Sequence, residues 1–502
     1  MSPGKRLLAA VRRALSAGED ITDRSVTGGL WLGLYNVADR LLQLGTVLFL
    51  ARLLAPTAFG ILGLALVTRS ALRRLTKLGL DTALIQRRED DVDAYLDTVW
   101  TVELVRGLLI AAVLFLAAPL VASFFGEPLV AEILRVFALL PLVEGVTNPG
   151  VVYFVKDLDF RRDVAYNFSG RVAFVLVGVG YGYATRSVWA LVFATLASQV
   201  VSTAASYAIH PYRPRPRFDR EAAAELFDYG KWVFGSEALM FLINEGDDAF
   251  VGWALGSYAL GVYQLAYRVS NAPTTEITHP IQRVAFPAYS KVQGNVESLR
   301  EGYFTTVRLI TLVSFPAAVG IGVVAPLFVP VVLGSGWGAA VVPMQLLAAY
   351  AALRSFRSAT VPLFRAVNRP DLDTKVRLLK LALLVPFIYP AAQRFGLPGV
   401  AAVVLGHAGI AAPVASYAAV RSVDGEFRAF ARLLSFPLFG SAVMGGVVLL
   451  VRDRIVGVPA IAELILLVIT GAVVYAAVML GLERRLGIGL DEMYTAVQNS
   501  VR

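Results

Sequence analysis

Apolar residues run along this chain in blocks of about 20, a length that lets a helix cross a hydrocarbon core about 30 Å thick. Segments such as "GLLIAAVLFLAAPLVASFF" and "AELILLVITGAVVYAAVMLGL" lack both the alternation of a half-buried strand and the polar stripe of a surface helix. The pattern predicts fourteen spans, at residues 29–53, 59–83, 98–122, 130–155, 165–184, 187–209, 228–253, 259–285, 303–326, 338–363, 375–394, 397–420, 431–451 and 459–482. The predicted class is an all-α polytopic membrane protein.

Composition agrees with that class: 57% of the 502 residues are hydrophobic, 17% are charged, and the mean hydropathy is +0.65. The absence of cysteine excludes disulfides, thiolate metal sites and cysteine nucleophiles. His210, His279 and His407 are too scattered for a metal cluster. A net charge of +9 could suggest nucleic acid, but the basic residues sit mostly in connections between apolar blocks, where topology accounts for them. Lysine and arginine concentrate on the side that holds the N-terminus, whereas the other side has Arg186, Arg394, Arg452 and Arg454. This asymmetry places both termini in the cytoplasm. The connections on the outer side, such as "APTA", "FGEP" and "ATRS", are too short for an extracytoplasmic domain. Lys5, Arg6, Arg12 and Arg13 alternate with Leu7, Leu8, Val11 and Leu15 at helical spacing, which fits an amphipathic segment on the cytoplasmic face.

The stretch "HPYRPRPRFDRE", residues 210–221, has three prolines and is expected to be an extended linker. It divides two similar halves. Ala58-Phe59-Gly60 matches Ala259-Leu260-Gly261 at an offset of 201, which also aligns Trp31 with Trp232. Tyr153-Phe154 corresponds to Leu363-Phe364, and Trp189-Ala190-Leu191 to Val400-Ala401-Ala402, at offsets of 210 and 211. The expected organisation is an amphipathic segment at 1–25, a six-helix bundle at 26–209, the linker at 210–227, a second six-helix bundle at 228–421, and two peripheral helices with a tail at 422–502. Because six is even, both bundles enter the membrane in the same direction, and a pseudo-twofold axis should run along its normal.

Charges inside the spans change the picture from membrane protein to transporter. In "RSALRRLTKLGLD", residues 69–81, Arg69 falls near the midplane, Arg73 and Arg74 in the inner half, and Lys77 near the cytoplasmic interface. Residues 69, 73 and 77 share one helix face. Lys77 can snorkel to headgroups, but an arginine at mid-bilayer costs about 2.5–3.5 kcal/mol, so Arg69 must face water or an anion. Asp39, Arg40, Arg106, Arg171 and Arg268 are further charges at depth, and Arg354 and Arg357 lie in the inner part of span 10, where snorkelling to headgroups is an equal alternative. If these faces converge they line a basic cavity, and guanidinium groups suit a diphosphate. Internal pairing, such as Asp39 with Arg40 or Glu103 with Arg106, is the alternative for some of them. Span 7 instead gathers acids: Glu237, Glu245, Asp247 and Asp248 in and around "FLINEGDDAFVGWAL", with Asn244 and Gly246 expected to loosen the helix. Sodium or proton coupling and pairing with arginines are both open readings there. His407 reads as a hydrogen-bonded interior histidine.

Residues 50–86, "LARLLAPTAFGILGLALVTRSALRRLTKLGLDTALIQ", and residues 255–292, "LGSYALGVYQLAYRVSNAPTTEITHPIQRVAFPAYSKV", resemble the polysaccharide transport family of lipid-linked oligosaccharide and O-antigen flippases, within the multidrug/oligosaccharidyl-lipid/polysaccharide exporter superfamily. The resemblance implies two six-helix bundles in a V shape, alternating access, and a polyprenyl-phosphate-linked sugar as cargo. Related lipid II flippases carry an essential arginine in an "LRRxxxxG" region, matched here by Leu72-Arg73-Arg74 and Gly79, and another in span 8, matched by Arg268. Their first span has adjacent Arg and Asp, here reversed as Asp39-Arg40, which leaves the roles of that pair open. Their sodium-binding acid corresponds to Asp247 or Asp248.

The expected function is a flippase of the cytoplasmic membrane that moves a polyprenyl-(di)phosphate oligosaccharide for cell-surface glycan assembly, not an enzyme. Arg40, Arg69, Arg73, Arg74 and Arg268 are the candidate substrate residues, and Asp39, Glu245, Asp247 and Asp248 the candidate ion-coupling residues. No cofactor or firmly assigned metal is expected beyond sodium or proton coupling. Lipid-linked oligosaccharide, membrane lipids and a glycan polymerase or export machinery are the expected partners, with no nucleic acid. One rival is a cation antiporter of the same fold, which would want an acidic cavity. The other is a sugar polymerase, which would want catalytic groups on longer outer loops.

Overall fold

The computed structural model describes residues 21–76, 89–157, 159–217, 220–455 and 457–486. The basic amphipathic pattern of residues 5–15, Lys77, Gly79 and the tail after 486 lie outside the described residues. Every regular element among the described residues is helical: α1 (Ile21–Leu53), α2 (Pro56–Leu75), α3 (Glu89–Phe125), α4 (Pro128–Phe137), α5 (Leu139–Gly145), α6 (Val152–Lys156), α7 (Phe160–Thr185), α8 (Trp189–Ile209), α9 (Arg220–Lys291), α10 (Val296–Phe328), α11 (Val341–Ser355), α12 (Arg357–Ala366), α13 (Pro370–Arg421), α14 (Phe427–Arg452) and α15 (Ala460–Leu486).

Two of these elements are double. Gly256 (φ 83°, ψ 177°) and Gly396 (φ 60°, ψ −141°) turn the chain inside α9 and α13, and glycine takes such positive φ values without strain. The pieces α4 to α6 form one broken leg, and α11 and α12 another. The described residues thus contain fourteen legs, one for each predicted span. Seven helical stretches among them, from Leu96–Phe125 to Ala460–Leu486, are long and apolar enough to cross a membrane. The helices α1, α2, α7 and α9 and the broken leg α4 to α6 fall outside that set, and they carry Asp39, Arg40, Arg69, Arg73, Arg74, Glu144, Arg171 and the acids of residues 237–248.

The chain forms two compact units, Met1–Gly261 and Val262–Arg502. In the first, α3 and α5 cross with their backbones in contact. A Cβ on Gly107 would overlap the Pro141 carbonyl oxygen, and one on Gly145 would sit 2.7 Å from the Glu103 carbonyl oxygen. The short helix α5 is held in place by its downstream turn, where the Asn148 side chain accepts a 2.9 Å hydrogen bond from the Gly150 N–H. Elsewhere α1 packs on α7 through Leu50, which is fully buried and fills the space left by Gly182.

A second backbone contact joins α2 to the bend of α9. A Cβ on Gly60 would overlap the Ser257 carbonyl oxygen and lie 3.0 Å from the Gly261 nitrogen, and one on Gly261 would overlap the Pro56 carbonyl oxygen. With the repeat offset of 201, residue 56 is equivalent to 257 and residue 60 to 261. The contact is therefore its own reciprocal, as a local twofold axis produces.

Residues 211–217 have no regular secondary structure and are strapped to α3 and to the turn after α5. Asp97 Oδ1 accepts from the Tyr212 hydroxyl (2.5 Å) and from the Arg215 N–H (2.9 Å), Thr101 Oγ1 accepts from the Arg217 N–H (3.1 Å), and the Asn148 amide donates to the Tyr212 carbonyl (2.8 Å). Prolines remove backbone donors, so this strap depends on side-chain acceptors. Asp97→Ala removes two bonds and is expected to speed tryptic cleavage after Arg217, the first strap arginine not followed by proline, by about tenfold. An unchanged cleavage rate in a timed digest would count against the strap.

The second unit is built on an aromatic core. Tyr303 stacks on Phe430 at 6.1 Å and 3°, and Phe304, Phe315 and Phe356 close around them. Val448, Met444 and Leu467 bring α14 and α15 together, and the Tyr475 hydroxyl ties α15 to the Leu312 carbonyl of α10 at 2.7 Å.

Candidate functional site

Helix α2 presents its arginines in two directions. At 100° per residue, Arg69 and Arg73 lie on one face and Arg74 on another. Arg69 reaches Glu144 on α5 in a close ion pair, with side chains 15% and 25% exposed. The α3/α5 crossing delivers that carboxylate, because Glu144 directly precedes Gly145. Arg73 is 61% exposed, and its Nη1 is 3.8 Å from the same carboxylate. Arg74 turns to the first leg of α9, where its Nε donates to Glu245 at 3.0 Å and its Nη1 to Glu237 at 3.1 Å.

Three further arginines of the first unit have partners within it. Arg171 of α7 grips Asp39 of α1 with two bonds, Nε to Oδ1 at 2.5 Å and Nη2 to Oδ2 at 3.1 Å. Arg40 donates to Gln43 at 3.1 Å. Arg106 bridges Glu103 (2.6 Å), the Thr76 hydroxyl (3.3 Å) and the Arg73 carbonyl (3.0 Å), which ties α3 to the end of α2. Asp247 and Asp248 are half-buried on the same leg as Glu245. That leg stays helical through Asn244 and Gly246, contrary to the loosening expected there. One interior glycine costs a helix only about 1 kcal/mol, which neighbouring contacts outweigh.

Arg69 does face an anion, the Glu144 carboxylate of its own chain. The Asp39–Arg40 pair offered as one alternative does not form: Asp39 pairs with Arg171, because adjacent residues on a helix point about 100° apart. Glu144 was not singled out from sequence. The available signal was an acid in the middle of the apolar block at 130–155, with nothing in spacing to link it to an arginine 75 residues earlier.

Arg268 lies exposed on the second leg of α9, in the second unit. His407 is 5% exposed, with Nδ1 3.3 Å from the Val403 carbonyl oxygen and its ring beside Tyr350. Near the end of α11 and the start of α13, Arg357 Nη2 and Arg377 Nε donate to the two oxygens of Asp373 at 2.9 and 2.8 Å. No group of His, Asp and Glu suited to a metal ion occurs among the described residues.

The arrangement is thus a set of arginines, Arg69, Arg74 and Arg171, held by acids on other helices, with Arg73 the most open of those on α2. It is suited to exchange partners with an anion.

The chain is similar to known proteins in sequence and in fold. Residues 49–342 match the model of a family described as polysaccharide biosynthesis protein. The chain is 26% identical over 386 residues to the lipopolysaccharide biosynthesis protein WzxC of Escherichia coli strain K12, covering 76% of this chain and 77% of that protein. It is 24% identical over 371 residues to the teichuronic acid biosynthesis protein TuaB of Bacillus subtilis strain 168, with coverage of 72% and 75%. Among solved structures it is similar to the inward closed conformation of the lipid II flippase MurJ, with a TM-score of 0.73 at 11% identity over 91% of this chain and 99% of that one. An inward-facing multidrug resistance MATE family transporter of the MOP superfamily gives 0.60 at 18% identity over 83% and 98%. At these identities the two structures establish the fold alone, a multi-pass helical membrane fold. The family match spans more than half of the chain, and the chain belongs to the polysaccharide biosynthesis protein family.

Proposed function

We propose that this protein is a flippase that carries a polyprenyl-(di)phosphate oligosaccharide across the cytoplasmic membrane by alternating access, for assembly of a surface polysaccharide. Its relatives in lipopolysaccharide and teichuronic acid biosynthesis, and its likeness to a lipid II flippase, support a lipid-linked sugar as cargo. The observation that carries the reading is electrostatic. Asp39, Glu144, Glu237 and Glu245 are each bound to an arginine, while Arg73 keeps 61% of its side-chain surface open. A cation exporter needs the reverse, open acids, so the balance favours an anionic headgroup.

In this reading Arg73, with Arg40, Arg69, Arg74 and Arg268, meets the phosphates, and the prenyl tail stays in lipid. Both termini face the cytoplasm, and a glycan polymerase or export complex receives the product. Asp247 or Asp248 binds the sodium or proton that resets the carrier, with Asp39 and Glu245 as further candidates.

The test is flipping of a fluorescent prenyl-diphosphate oligosaccharide in proteoliposomes, with and without a sodium or pH gradient. Flipping is expected, and Arg73→Gln should lower its rate about tenfold, the loss of one charge-assisted contact worth about 1.5 kcal/mol. No flipping of several lipid-linked sugars by intact protein would defeat the proposal and favour the cation antiporter.

A further inference from the structure

The second unit holds arginines in a different balance from the first. In "LRSFR", α11 ends at Ser355 and α12 begins at Arg357, with Phe356 between them. Phe356 is 6% exposed and locked into the aromatic core, 5.9 Å from Phe315 and 6.4 Å from Phe430. Arg354 and Arg357 are three residues apart and so share a face, turned away from Phe356. Asp373 and Arg377, four apart on the first turns of α13, meet them there.

This cluster is short of carboxylate. Asp373 divides its two oxygens between Arg357 and Arg377. Arg354 donates through Nη2 to the Thr275 hydroxyl at 3.1 Å, and that hydroxyl donates onward to the Asn271 carbonyl at 2.8 Å. Among the described residues Arg354 has no carboxylate within ion-pair distance, although Arg357 is near enough to feel its charge. A guanidinium has five N–H donors, and this one spends a single donor on a neutral hydroxyl. The side chains of Arg357, Asp373 and Arg377 are only 29%, 16% and 20% exposed, so water does not compensate the charge as it would at a surface. A shielded guanidinium of this kind is costly in a membrane protein unless an anion meets it.

We propose that Arg354 and Arg357 form a phosphate-binding site of the second unit that receives the diphosphate of the prenyl-linked substrate. The inference rests on the flippase reading for the identity of the substrate, while the site itself is defined by its demand for phosphate oxygens. Two forked donors rooted about 5–6 Å apart suit two linked phosphoryl groups, each able to take paired N–H bonds. Asp373 holds Arg357 in place without occupying Arg354. Thr275, on the second leg of α9, orients Arg354 and marks the polar edge of the site.

The experiment uses the full chain in phosphatidylcholine nanodiscs and measures binding of inorganic pyrophosphate and farnesyl diphosphate by calorimetry. Arg354→Gln breaks no ion pair, so the fold should persist, and its affinity for both probes is expected to fall at least tenfold. Arg354→Lys, which keeps the charge but not the fork, should lie between. Equal affinity in wild type and Arg354→Gln overturns the inference, as does a wild type that binds neither probe. Displacement of the probes by phosphatidylglycerol built into the nanodisc also overturns it, since the cluster would then be a phospholipid anchor. The flipping assay separates this from the functional reading. If the wild type flips the lipid-linked sugar and Arg354→Gln flips it equally, the site fails and the flippase stands. If pyrophosphate binding depends on Arg354 but nothing is flipped, the site stands and the flippase fails.

Discussion

Replacing Glu144 with alanine is expected to destabilise the protein by about 3 kcal/mol, because it leaves the shielded Arg69 guanidinium without its carboxylate. The magnitude follows from burial. Arg369 and Asp371 also form an ion pair, but at 54% and 43% exposure, and Asp371→Ala should leave the unfolding temperature essentially unchanged. The two variants therefore calibrate each other in thermal unfolding of detergent-solubilised protein, followed by fluorescence-detected size exclusion. Removing both charges tests the mechanism further: Arg69→Leu combined with Glu144→Leu should recover most of what Glu144→Ala loses, since no unpaired charge remains. A double variant as unstable as the single one would show that Glu144 acts through something other than Arg69. A stable double variant that no longer flips substrate would assign Arg69 a second role beyond its pair.

Gly60→Leu and Gly261→Leu are expected to have equal and severe effects. In each, the new Cβ would land on backbone, which cannot rotate away as a flexible side chain could. Overpacking commonly costs about 1–3 kcal/mol, and the obstacle here places the cost at or above the top of that range. The helices must separate. Because the chain has no cysteine, a single Ser257→Cys reporter suffices to follow this. Residue 257 is 4% exposed beneath the contact, and its labelling by a water-soluble maleimide should be slow in the Gly60 background and at least about tenfold faster with Gly60→Leu. Slow labelling in both backgrounds would show that the contact is not maintained by the absence of side chains. Unequal effects of the two leucines would argue against the local twofold.

The helices and the repeat were legible because they rest on patterns that survive in one dimension. Predominantly apolar blocks marked the legs, including those whose buried charges lower their hydropathy, and the Ala-x-Gly match at offset 201 identified two positions that turn out to touch. Partners across the fold were not legible. Arg69 and Glu144 are 75 residues apart, Asp39 and Arg171 are 132 apart, and no local spacing encodes either. The Asp39-Arg40 pairing failed for the same reason that i,i+4 pairs succeed, the 100° step between successive side chains. The bend of α9 falls at Gly256, inside the predicted connection between the spans at 228–253 and 259–285, whereas Asn244 and Gly246, whose polarity suggested a looser helix, stay helical. Asp373 drew no notice in sequence because it lies at the edge of a predicted span, although it organises the arginines of the second unit.

The partners of Arg74 have a consequence for how the chain is made. Glu237 and Glu245 follow it by 163 and 171 residues, so at about 5–20 residues per second the ribosome needs roughly 8–35 s to supply them. During that interval the Arg74 guanidinium lacks both of the carboxylates that hold it in the folded chain, so this tie between α2 and α9 is among the contacts that only a nearly half-made chain can form.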